Sequence, residues 1–269
     1  MHSNSASGRV RSIGKAFLFC LVFIAIFIGL SFFKSLIPGR FERFAHGIAG
    51  TVAALITTYI FLRIDKRTFA DIGLRFERTT LLKFIGGFLV GIVITTVMLL
   101  SMVYIGGLKL VFNEAFTIGS FLLWTSALIP LAFMEEVAFR GYPLELLKRN
   151  TGIRATLLIT AVLFAIYHIA NGWPVGASFL GPGIWGLIFG LAAIYSKGIA
   201  MPTGLHYAAN LTQSAFGMGK GFIAIWSLET TDHTSGNLNL IGLVVQAALL
   251  VAVVVCIEWY IRRKAFRKA

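Results

Sequence analysis

Acidic residues are scarce in this chain: 11 Asp and Glu among 269 residues, against 24 Lys and Arg. Charged residues together make up 13%, roughly half the ~25% of an ordinary soluble protein, which leaves no room for a soluble domain of useful size. Cysteine is limited to Cys20 and Cys256, both inside apolar stretches, so a disulfide framework and a cysteine-based zinc module are excluded. No internal repeat and no low-complexity segment is visible, which argues against the inverted-repeat plan of many transporters. A basic face on a soluble module is also missing, so the net charge of +13 does not point to nucleic acid. It reads as membrane topology and contact with anionic lipid.

What is abundant is apolar: 57% of residues are hydrophobic. Stretches long enough to span, judged against the ~20 residues a span needs, occur at 16–37, 45–62, 81–106, 119–147, 155–171, 180–196, 199–216 and 238–260. The sequence therefore predicts an all-α polytopic membrane protein with eight transmembrane helices. Residues 1–15 read as a disordered cytoplasmic tail, 16–260 as the membrane domain and 261–269 as a basic cytoplasmic tail. The first apolar stretch is longer than a signal-peptide core and no small-x-small cleavage site follows Phe32-Phe33-Lys34, so it reads as a retained span. With the N-terminus inside, eighteen of the 24 basic residues fall on the inner side and five (Lys34, Arg40, Arg43, Lys109, Lys220) on the outer side. That asymmetry predicts both termini in the cytoplasm. Gly87-x3-Gly91 and Gly186-x3-Gly190 fit close helix packing.

Few ionisable groups remain within the spans. Glu135 and Glu136 lie in the fourth, after a run from Phe121 to Met134 that carries no charge. Such carboxylates are costly at membrane depth and need partners. Arg140, four residues after Glu136, shares its helix face and can pair with it, which leaves Glu135 free to act. Two adjacent carboxylates also repel, which favours a proton on one of them. His168 closes Phe164-x3-His168 in the fifth span, and His206-x3-Asn210 puts an imidazole and an amide on one face of the seventh. Alone, each is a common packing residue. Together they supply a base, a proton shuttle and hydrogen-bond donors, the requirements of water-mediated peptide hydrolysis.

Glu135-Glu136-x3-Arg140, Phe164-x3-His168 and His206-x3-Asn210 resemble the three motifs of the CAAX protease and bacteriocin-processing (CPBP, or Abi) family of intramembrane endopeptidases. The resemblance covers residues 119–216. It implies an eight-helix membrane core with a conical polar cavity. It also implies that Glu135 activates the attacking water with help from His168, that His206 and Asn210 stabilise the oxyanion, and that Glu136 holds Arg140 to shape the site. The implied substrate is a membrane-associated protein or peptide; the short chain, with no evident soluble extension or targeting signal, suggests a bacterial inner membrane. No cofactor is required by this mechanism, although two histidines and a glutamate could also form a zinc site with an open position for water. Oligomeric state is not legible.

Other protease classes fit less well. His-Glu-x2-His is absent. Asp65, Asp71 and Asp232 lie in loops rather than as a paired membrane dyad. Gly176-Ala-Ser178 followed by His206 mimics a rhomboid-like serine protease but lacks the last glycine and leaves both glutamates idle. A non-catalytic immunity or transport protein, using the same groups as a relay, is the alternative of a different kind.

Overall fold

The computed structural model describes residues 6–218, 224–230 and 238–266. Lys220, Asp232, Arg267 and Lys268 lie outside the described residues. The chain is an all-α polytopic membrane protein apart from one two-stranded ribbon. Its helices are α1 (Ala6–Ser31), α2 (Glu42–Ile64), α3 (Thr80–Gly106), α4 (Ile118–Thr125), α5 (Leu128–Glu136), α6 (Tyr142–Asn150), α7 (Ile153–Ala170), α8 (Val175–Ser178), α9 (Ile184–Ser196), α10 (Ala200–Ala215) and α11 (Leu238–Phe266). The ribbon pairs β1 (Lys109–Phe112) with β2 (Trp226–Glu229), antiparallel, Lys109 opposite Glu229.

Among the described residues, seven helical segments are long and apolar enough to cross a membrane. The remaining expected span, the seventh at 199–216, is α10, whose 16 residues fall short of that length. Ten of those residues are nevertheless buried, and a helix covered by neighbours need not carry a full lipid-facing length. Within the expected disordered tail at 1–15, residues 6–15 are instead helical, part of α1, and Ser12 is already buried there, as is Ala16 just beyond. Lys15 ties this first part of α1 to Asp65 at the end of α2, and the Tyr142 hydroxyl donates to the same carboxylate at 2.6 Å. Burial alone would push the Asp65 carboxyl up, but those hydrogen bonds and the charges of Lys15 and Arg67 hold it below the ordinary range. At the other end, α11 continues into the expected basic tail as far as Phe266.

The ends assigned to the inner side meet on one face. Lys15 reaches Asp65, Arg154 at the start of α7 pairs with Glu258 near the end of α11 at 2.6 Å, and Gly73 lies against Gly198. At Gly73 both space and conformation demand glycine: φ is +74°, and a Cβ there would stand 2.7 Å from the Gly198 Cα.

The contact that positions the site is between α3 and α10. These helices run parallel and touch backbone to backbone. A Cβ on Gly87 would come 2.0 Å from the Met201 carbonyl, one on Gly91 2.5 Å from that of Leu205, and one on Gly204 2.1 Å from that of Phe84. This is the small-residue packing predicted from Gly87-x3-Gly91, with Gly204 as its counterpart. Gly186 and Gly190 do the same for α9, which lies against Ala161 and Leu157 of α7.

Candidate active site

The fourth span is not one helix. It runs as α4, α5, a π-helical segment at Val137–Gly141, and α6. The wider π turn begins immediately after Glu136 and contains Arg140. Such bulges are uncommon and concentrate at functional sites. It offers Phe139 to the aromatic core and Arg140 to the interior at once, both fully buried.

Four of the six expected residues form one connected cluster. His206 Nδ1 lies 2.8 Å from Glu136 Oε1, and His206 Nε2 lies 3.5 Å from Glu135 Oε2. Arg140 donates to Glu136 Oε1 and to the Gly186 carbonyl, both at 3.3 Å. Glu136 and Arg140 are 0% and 1% exposed, Glu135 and His206 6% each. These groups therefore face one another rather than an open cavity. His168 and Asn210 are half-buried, less enclosed than these four.

Aromatic rings wall the cluster. The Arg140 guanidinium sits 4.3 Å from the Phe164 ring centroid and 5.2 Å from that of Phe189. Phe189 stacks on the His206 ring at 4.4 Å with 15° between planes. A desolvated cation over an aromatic face gains ~2 kcal/mol or more, which helps Arg140 tolerate full burial. Among the described residues, Glu136 Oε2 and Arg140 Nε have no hydrogen-bond partner, the kind of buried pair that an internal water bridges.

His168 stands apart from the carboxylates but within the same pocket of rings. Its centroid is 4.6 Å from that of Phe164, and the Phe164 centroid is 6.1 Å from that of His206. The two imidazoles flank one phenyl ring, so they are on the same side of the bundle. His168 Nδ1 lies 2.9 Å from the Phe164 carbonyl oxygen, which can only accept, so Nδ1 carries the proton. In the neutral ring Nε2 is then left as an acceptor. Trp173, 5.4 Å away edge-on, covers the outer side of His168. Asn210 lies one turn beyond His206 on α10, and its carbonyl accepts from the Ser214 hydroxyl.

Sequence reasoning missed three contributors: Phe189, the Gly186 carbonyl and the π turn. Gly186 carried a packing signal, but not that its carbonyl accepts from Arg140. Among the described residues, no group of three or more His, Cys, Asp or Glu side chains is arranged to hold a metal ion.

Cation, paired buried carboxylates and imidazoles inside an apolar bundle make this a membrane protein built around a polar centre. Residues 117–212, the segment that carries all of it, match the family model of the type II CAAX prenyl endopeptidases, Rce1-like. That is the family the three motifs resemble, a family of membrane proteases. No curated protein matches the chain.

Proposed function

We propose that this protein is an intramembrane endopeptidase that hydrolyses a peptide bond of a membrane-associated protein or peptide with a glutamate-activated water. The observation that carries the reading is the His206 imidazole held between two buried carboxylates, 2.8 Å from one and 3.5 Å from the other. Glu136 is committed to Arg140 and His206. Glu135, without a guanidinium of its own, is the group able to take a proton from water. His168, with Nε2 free to accept, orients that water. Once water attacks, negative charge develops on the carbonyl oxygen, and His206 Nε2 and the Asn210 amide are the donors on the same helix face that can receive it. An ionised Glu136 carboxylate can only accept from Nδ1, so with that contact made Nε2 donates in the doubly protonated ring.

The family's name points to prenylated proteins ending in a CAAX sequence, so a lipidated C-terminal peptide is the first substrate class to try. Hydrolysis proceeds here without a metal; stoichiometric zinc that leaves and returns together with activity under chelation and add-back would contradict this. Asn210→Ala should leave the protein folded with activity reduced by about 10²–10³, the usual loss for one oxyanion donor. Steady-state cleavage of a fluorogenic peptide in proteoliposomes checks it, and unchanged activity would remove Asn210 from the site.

We further propose that the face where Lys15, Asp65 and Arg154 meet is cytoplasmic, in a bacterial inner membrane, with both termini there. Impermeant labelling of cysteines placed in the 63–80 segment should succeed only from inside, and labelling of the two termini from opposite sides would contradict it.

A further inference from the structure

A second built feature lies away from the glutamate–histidine cluster, on the face shared by the ends of α1, α2, α7 and α11. It is a cleft of about 530 Å³ between the loop after α2, α6, the α9–α10 turn and the last turns of α11. Its charged lining is Arg75, Lys148, Lys197, Arg263 and Lys264, against the acids Asp71 and Glu145. The acids are occupied: Glu145 pairs with Lys148, and the Asp71 carboxylate accepts from the Thr68 backbone and hydroxyl. Arg75 pairs with Glu77. Among the described residues, Lys197, Arg263 and Lys264 have no carboxylate within ion-pair distance.

Three side chains of the cleft are aromatic. Tyr195 and Tyr260 approach at 6.3 Å between centroids, and Trp259 lies 5.1 Å from the Arg263 guanidinium. Tyr195 and Trp259 are exposed, so amphipathic rings ring a cationic hollow at the end of the spans, where headgroups of the surrounding leaflet sit. Lys197 is held there at φ +58°, ψ +40°, a left-handed conformation that costs a side chain energy and that glycine would adopt freely. The neighbouring Gly198 is clamped against Gly73, which fixes the turn that presents Lys197. Cations drawn from separate elements and left unpaired beside interfacial aromatics call for an anion with an attached apolar body.

We propose that this cleft binds the phosphodiester headgroup of an anionic membrane lipid, with Lys197, Arg263 and Lys264 on the phosphate and Trp259 and the two tyrosines against the glycerol and upper acyl chains. The site is independent of the proteolytic reading.

The test titrates the full-length protein in mild detergent with short-chain phosphatidylglycerol, with phosphatidylcholine of the same chain length, and with inorganic phosphate, reading the midpoint of thermal unfolding. Phosphatidylglycerol should raise the midpoint saturably, and the other two should not. Replacing Lys197, Arg263 and Lys264 together by Gln should weaken phosphatidylglycerol binding on the order of a hundredfold. The charge-matched control Arg9→Gln, Arg149→Gln, Arg262→Gln, on exposed positions outside the cleft, should bind as the wild type does. Lys197→Gly guards against a trivial folding defect: it should keep or raise the unliganded midpoint while binding the lipid more weakly. Equal shifts from phosphatidylcholine or from phosphate, equal losses in the two triple variants, or wild-type binding by Lys197→Gly would each overturn the proposal.

Discussion

Glu135→Gln should abolish peptide cleavage while leaving the protein folded and as abundant as the wild type. The amide keeps the side chain's shape but cannot take a proton from water, and losing a positioned base costs on the order of 10⁴ in rate, to or beyond detection. Little else should change, because Glu135 is the less committed carboxylate. Among the described residues its one direct ionic contact is His206 Nε2 at 3.5 Å, and towards Arg140 its charge acts only at longer range, without the contact that Glu136 makes. An amide oxygen can still accept from that nitrogen. Melting midpoint and yield should therefore match the wild type. A fully active Glu135→Gln protein would remove the case for a glutamate-based protease.

Glu136→Gln should behave differently, losing stability and activity together. Arg140 is buried under Phe164 and Phe189, and among the described residues its one direct carboxylate contact is Glu136. Removing one partner of a buried pair costs about 3–5 kcal/mol, because the other charge is left uncompensated. Against a total stability of about 5–15 kcal/mol that is a large fraction, so yield in the membrane should fall several-fold. His206 loses its 2.8 Å anchor at the same time. The double variant Glu136→Gln, Arg140→Leu removes the stranded charge and should recover abundance but not cleavage. Recovery of both would show that the pair serves stability alone. Normal abundance of the single variant would show that Arg140 has another counter-charge.

The contrast between the two glutamates was legible in the sequence, since only Glu136 has an arginine four residues on. So were the helical class, the three motif-bearing helices and the packing role of Gly87 and Gly91, because periodicity and small-residue spacing are local signals. The π turn at Val137–Gly141 was not, because its extra residue per turn is stabilised by what surrounds it rather than by the residues themselves. The stack of Phe189 on His206 and the Gly186 carbonyl on Arg140 are contacts between helices distant in the chain, which no spacing rule reports. The early start of α1 was missed because Arg9, Arg11 and Lys15 read as a polar tail. The partner that recruits Lys15 into the fold, Asp65, is fifty residues away. The shortness of α10 has the same origin: its burial against α3 substitutes for length, and burial is not written in one helix alone.

The central claim is that the purified protein is itself a protease whose chemistry depends on Glu135. The most direct measurement reconstitutes wild type and Glu135→Gln in proteoliposomes, supplies a farnesylated C-terminal peptide and an unlipidated membrane-anchored peptide, and identifies products by mass spectrometry after prior chelation. The wild type should make a defined internal cleavage in at least one of them, resistant to chelation and absent with Glu135→Gln. The same cleavage by both proteins would contradict it, as would wild-type protein that cuts neither peptide while folded.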